Sequence, residues 1–61
     1  MVDYEYILFC YKVLKEGKQL KVDKSRLNGI KELLRTKDKS TYTEDDRLAI
    51  HRIAYIETHL K

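Results

Sequence analysis

The residues of this sequence whose spacing most clearly suggests ligand binding are lysines that recur at every third position: Lys12, Lys15, Lys18, Lys21 and Lys24. Positions 12–39 hold ten basic residues and only four acidic ones. Several cations on one surface bind phosphates because neutralisation releases counterions, and this supplies affinity without reading a base sequence. The basic segment therefore predicts non-specific nucleic-acid binding, with contacts from Lys15, Lys18, Lys21, Lys24 and Arg26. The opposing interpretation is that spaced lysines only keep a surface solvated.

Other reactive side chains are too few or too far apart to suggest catalysis. His51 and His59 are eight positions apart, or about 12 Å along a helix, whereas two histidines that share a metal need i, i+4 spacing. Cys10 lies in an apolar stretch, where burial would raise its pKa and leave it inert. Asp45 and Asp46 are adjacent carboxylates that a helix N-terminus explains. We therefore expect no enzymatic activity, no cofactor and no metal site.

The first predicted helix is apolar on two sides, whereas an ordinary amphipathic helix has one apolar stripe. One stripe has helical spacing and is expected to face the core; it consists of Tyr4, Ile7, Leu8, Tyr11 and Leu14. The second lies roughly opposite, with Cys10 on its flank, and consists of Tyr6, Phe9 and Val13. Apolar and aromatic groups left on a surface mark protein interfaces, so the second stripe predicts interface anchors. The alternative is that the other helices enclose the first one and bury both stripes.

The third predicted helix carries a similar surface. Leu48 and Tyr55 are one heptad apart, with His51, Arg52 and His59 around them. Aromatic residues and arginine are the types that dominate binding energy at protein interfaces. Leu48, Arg52 and Tyr55 are therefore predicted to extend the interface. The alternative is a leucine and a tyrosine partly covered by long side chains.

The elements that must position these residues are three helices, predicted at about 3–16, 24–36 and 44–60. Gly17 follows the first helix as a C′ residue would, Asp23 and Thr43 are predicted N-caps, and Thr43 with Asp46 resembles a capping box. Residues 1–61 should form one small all-α domain with helix one central.

Two segments allow another interpretation. Asn28-Gly29 is a turn dipeptide inside the second helix, so that helix could begin near Ile30. Weak alternation at 18–22 and β-branched content at 40–43 allow a short two-stranded ribbon. We predict a continuous helix at 24–36 and no ribbon.

The size and composition of the chain indicate its cellular compartment and what can stabilise its fold. A chain of 61 residues with one cysteine has no internal disulfide, so helix packing or oligomerisation must supply its stability. The lone cysteine favours a reducing compartment, and no secretory signal or stretch long enough to cross a bilayer is evident. We expect a cytoplasmic protein with no membrane partner.

Together these features predict a small non-enzymatic protein–protein interaction module, acting as a regulator or inhibitor of another protein. Its partner would be another protein or a second copy of itself, since a homodimer would also enlarge the core. The alternative is a non-specific nucleic-acid-binding protein that uses the basic segment 12–39. An inhibitor of a nucleic-acid-handling protein would combine the basic and aromatic surfaces.

Overall fold

The computed structural model describes residues 2–60, which form three α-helices with short connections. Helix α1 is Tyr4–Lys15, α2 is Lys24–Thr36 and α3 is Glu44–His59. A 3₁₀ turn, Lys39–Thr41, lies between α2 and α3. The predicted all-α three-helix fold is confirmed, and the helix ends agree with the predicted ones to within one residue.

Side chains cap the N-terminus of every helix. Asp3 and Asp23 each accept a hydrogen bond, 3.1 Å long, from the backbone N–H three positions later. Thr43 and Asp46 form the predicted capping box, in which the Thr43 hydroxyl accepts from the Asp46 N–H and the Asp46 carboxylate accepts from the Thr43 N–H. These caps satisfy amide groups that have no partner within the helix, and so they define where each helix begins.

Helix α1 ends in a Schellman motif. Gly17 adopts a φ of 78°, a left-handed conformation that costs glycine nothing. Its N–H donates to the carbonyl of Leu14 at 3.0 Å, and the Lys18 N–H donates to the carbonyl of Val13 at 3.2 Å. This pattern is the one by which a C′ glycine satisfies the last carbonyls of a helix, so the predicted role of Gly17 is confirmed.

Helix α2 continues through Asn28-Gly29 without a break. Leu27 and Ile30, on either side of that pair, are both buried, so tertiary packing outweighs the weak helix propensity of glycine. Residues 2–60 contain no strand, and the 3₁₀ turn Lys39–Thr41 occupies part of the segment that the ribbon alternative would need.

The core is a cluster of buried apolar side chains drawn from all three helices: Ile7, Cys10, Leu27, Ile30, Leu34, Ala49, Ile53 and Ile56. Helix α1 packs against both others, as predicted, because Tyr4 and Tyr11 contact α3 while Tyr6 contacts the first turn of α2. Helix α3 also packs against both. Leu33, which lies beside the apolar stripe of α2, is 44% exposed.

Asp46 is the one buried charged side chain among the described residues, with no exposed surface. Its carboxylate accepts hydrogen bonds from the Tyr4 hydroxyl, from Lys37 Nζ at 2.6 Å and from the Thr43 N–H at 2.9 Å. These bonds, led by the one from Lys37, hold the pKa of Asp46 well below its usual range. The explanation of Asp46 as only a helix-terminal charge was therefore incomplete, since this carboxylate also joins α1 to the connection that precedes α3.

The two glycines should respond in opposite directions to substitution by alanine. Gly17→Ala should lower the free energy of unfolding by about 1–2 kcal/mol, because an L-residue is strained at positive φ. Gly29→Ala should raise it by up to about 1 kcal/mol, because alanine is the better helix former and its Cβ would meet no atom within 4 Å. Urea titration followed by circular dichroism measures both, and a break at Gly29 in solution would reverse the second result.

Asp46 should make the fold sensitive to acid. Because its pKa is lower in the folded chain than in the unfolded one, the ionised carboxylate stabilises the fold above about pH 4, and this contribution is lost as the pH falls below that value. Asp46→Asn should lower the melting temperature at pH 7 and should show a smaller further drop at pH 3 than the parent chain. Asp45→Asn is the matched control, since Asp45 is exposed in the same helical turn, and equal effects of the two substitutions would contradict the assignment.

Candidate functional site

The first candidate surface lies on the side of α1 that faces away from α3. Phe9 is 57% exposed, more than any other large apolar side chain in residues 2–60. Val13, one turn later on the same side, is half-buried and lies outside the core cluster. Tyr4 and Tyr11, which contact α3, project from the opposite side of the helix. Phe9 and Val13 therefore form a short apolar row, named here the Phe9–Val13 row.

Tyr6, the third residue of the predicted stripe, is held within the molecule. Its hydroxyl accepts a hydrogen bond from the Asp23 N–H at 3.1 Å. The guanidinium carbon of Arg26 lies 4.1 Å from the centre of its ring, and Arg26 also forms an ion pair with Asp3. Tyr6 thus links the start of α1 to the start of α2 and supports the row from one side.

The second candidate surface is an aromatic–cationic cluster between α1 and α3. The rings of Tyr11 and Tyr55 meet edge to face with centres 5.0 Å apart, and His59 stacks on Tyr55 at 4.0 Å. Lys15 Nζ lies 5.7 Å and 5.8 Å from the centres of the two tyrosine rings, and the guanidinium of Arg52 lies 5.8 Å from Tyr11. Cations at this distance from aromatic faces are attracted to the ring quadrupole, so the cluster is ordered by its own contacts.

The six predicted interface residues therefore occupy three environments. Phe9, which is exposed, and Val13, which is half-buried, form the Phe9–Val13 row, while Tyr6 bridges two helices. Arg52 and Tyr55 belong to the aromatic–cationic cluster, and Leu48, 40% exposed, lies on the same side of α3 two turns earlier. The row and the cluster are on different sides of α1, so they do not form one continuous interface.

Sequence reasoning did not include Tyr11 and Lys15 in the predicted interface. Tyr11 had been assigned to the core stripe, where it does pack, but its ring also forms the centre of the cluster. The i, i+4 spacing of Tyr11 and Lys15 indicates this contact, because it places their side chains together on one side of a helix.

The predicted phosphate contacts lie in three places. Lys18 and Lys21 line an open hollow of about 650 Å³ between the ends of α1 and α3, here named the C-terminal hollow. Lys15 lies beside it, over the ring on which His59 stacks. Lys24 lines a smaller neighbouring hollow. Arg26 forms an ion pair with Asp3 and lies over the ring of Tyr6.

A groove between α2 and α3 has no counterpart in the sequence predictions. It encloses about 340 Å³ and is floored by Leu34, Ile50 and Ile53, with Tyr42 at one side. Its charged rim is internally neutralised, since Lys31 Nζ lies 3.0 Å from the Glu57 carboxylate. Ile50 is 40% exposed there, although its position three residues before the buried Ile53 places it beside the core-facing side of α3.

Cys10 is a core residue with 1% of its surface exposed. Burial raises the pKa of its thiol, which keeps it protonated and a poor nucleophile at neutral pH. Within residues 2–60, no three side chains of the metal-binding types come together. No described helix combines the length and apolar character needed to cross a bilayer.

Comparison of the chain with protein-family models, with curated proteins and with solved structures found no match.

The thiol of Cys10 should report on the integrity of the core. In native buffer at pH 8, it should react with a disulfide reagent at least about tenfold more slowly than in urea. The reason is that the buried thiol must first become exposed, and its raised pKa keeps it protonated until it does. Absorbance of the released thiolate measures the two rates, and equal rates would show that Cys10 is not buried in the core in solution.

Proposed function

We propose that this protein is a small non-enzymatic interaction module that binds another protein through the Phe9–Val13 row of α1. The observation that carries the proposal is the 57% exposure of Phe9 on a helix whose opposite side already supplies the core. Regulation or inhibition of the partner is the role that such a module would serve.

The Phe9–Val13 row leaves apolar surface exposed to water. Removing apolar surface from water contributes about 25 cal/mol per Å², so full burial of an aromatic side chain contributes about 1.5–3 kcal/mol. A chain of this size has a small core, and Phe9, which is 57% exposed, contributes only part of its burial energy when the chain is alone. A partner with an apolar pocket would recover that contribution, which supports an anchor role for Phe9.

The support beneath the row favours binding without reorganisation. Phe9 and Val13 lie on a helix that is capped at both ends, and Tyr6 next to them is fixed by Asp23 and Arg26. A side chain on a rigid element loses little conformational entropy on binding, so more of the contact energy appears as affinity. Glu5 and Lys12, both exposed, flank the row with one charge of each sign. The matching partner surface would therefore be an apolar pocket with a polar rim.

A second copy of the chain is the variant of this proposal that needs no other protein. Two rows related by a two-fold axis would bury Phe9 of each chain against the other. Light scattering across a concentration series tests this variant directly, because the average mass would rise from that of one chain toward that of two.

Replacement of Phe9 by aspartate should weaken partner binding or self-association by about 30-fold or more, which corresponds to the loss of an interface hot spot of ~2 kcal/mol. The far-ultraviolet circular dichroism spectrum and the melting temperature should change little, because Phe9 is mostly exposed. Partner capture is measured with a photo-crosslinking residue at the exposed position 12, beside the row, in the parent chain and in each variant.

Leu33→Asp is the matched control, since Leu33 is 44% exposed on a different helix. It should leave binding unchanged. If Phe9→Asp unfolds the chain, Phe9 is a core residue and the proposal fails; if Leu33→Asp weakens binding as much, the row is not the interface.

A further inference from the structure

We propose that the C-terminal hollow binds single-stranded nucleic acid, with a phosphate between Lys18 and Lys21 and a base on the exposed face of His59. This inference uses a different surface from the Phe9–Val13 row and does not depend on the protein-binding proposal.

The hollow concentrates positive charge at the point where α1 ends and α3 ends. Lys18 and Lys21 come from the connection after α1 and line the hollow together with His59. Lys21 forms no ion pair within residues 2–60, and Lys18 pairs only with Glu16, at 3.0 Å. Both members of that pair are mostly exposed, with 70% and 58% of their side chains accessible. Exposed pairs of this kind are worth little, so a phosphate can displace Glu16.

His59 is held in one orientation at the edge of the hollow. Its Nδ1 lies 2.8 Å from the carbonyl oxygen of Tyr55, and since that oxygen only accepts, Nδ1 must carry the hydrogen. One face of the ring stacks on Tyr55 at 4.0 Å, so the other face remains available in an exposed residue. The other ring nitrogen, Nε2, takes no part in this hydrogen bond. The ring is therefore a fixed flat surface beside two lysines.

A flat aromatic ring next to cations favours a nucleotide strand over other polyanions. Single-stranded nucleic acids bind proteins by stacking unpaired bases on aromatic rings while cations contact the phosphates. Bases inside a duplex are already stacked and cannot reach the ring. The apolar floor of the hollow, from Leu14, Leu20 and Leu60, suits a sugar and a base better than it suits the carboxylates of an acidic peptide. Lys15, over the ring of Tyr55, adds a cation at the edge of the stack.

The test is fluorescence anisotropy with a labelled single-stranded oligonucleotide of about 12 nucleotides, at about 50 mM and about 200 mM salt. The parent chain should bind with a Kd on the order of 10⁻⁵ M at the lower salt and more weakly at the higher. A duplex of the same sequence and a poly-glutamate peptide of equal charge serve as competing ligands, and both should bind at least about threefold more weakly than the strand. No binding, or equal binding of poly-glutamate, would overturn the assignment to nucleic acid.

Variants distinguish the hollow from diffuse positive charge. Lys18→Gln combined with Lys21→Gln should weaken binding about tenfold and lower the salt dependence by about two released ions. Lys39→Gln combined with Arg47→Gln removes the same charge near the start of α3, so it should cost less than threefold. Equal losses in the two double variants would show that no local site exists and would overturn the proposal.

The stacking step is tested separately at His59. His59→Ala should weaken binding severalfold, whereas His59→Phe should retain it, because phenylalanine keeps the flat ring without the nitrogen atoms. Circular dichroism confirms that each variant is folded. If alanine and phenylalanine weaken binding equally, the base does not stack on this ring and that part of the proposal is wrong.

Discussion

The arrangement of this small protein depends on one buried carboxylate. Asp46 has no exposed surface, and its two oxygens receive bonds from Tyr4 of α1, from Lys37 after α2 and from the backbone at the start of α3. A buried charge is tolerated only when it is paired and hydrogen-bonded, so these donors must all be present together. Meeting that requirement favours the observed placement of Tyr4, Lys37 and the start of α3 relative to one another.

The small number of packed helices explains where the exposed surfaces lie. Within residues 2–60, α1 turns one side toward α3 and a flank toward α2, and no described element covers its remaining side. Phe9 and Val13 lie on that uncovered side. Around α3, the rings of Tyr11, Tyr55 and His59 pack against one another, and two cations, Lys15 and Arg52, lie over the tyrosine rings. The Phe9–Val13 row is therefore separate from the aromatic–cationic cluster and the C-terminal hollow, which meet at His59, so a protein on the row and a nucleic-acid strand in the hollow would not compete for the same residues.

The helices could be predicted from the sequence because their signals are local. Asp23, Thr43 and Gly17 act on amides or carbonyls within a few positions of themselves, so spacing alone was enough to identify them. The bridge made by Tyr6 was not predictable in this way, since it depends on the path by which residues 16–23 return toward the start of α1. Asp46 shows the same limit: its capping bond to Thr43 was evident, but its bond to Tyr4 spans 42 positions. The candidate surfaces were identified by residue type, while their division into a row, a cluster and a hollow required the tertiary structure.

The long span of that bond also carries an entropic cost. The contacts between α2 and α3 include pairs close in sequence, such as Lys37 with Asp46 nine positions later. The contacts of α1 with α3 join the two ends of the chain, and the entropy of closing that loop must be lost before they contribute. Closing the short α2–α3 connection therefore costs less entropy than bringing α1 against α3. The Tyr4 hydroxyl adds the most distant donor to a carboxylate whose other two donors, Lys37 Nζ and the Thr43 N–H, lie within nine positions of it.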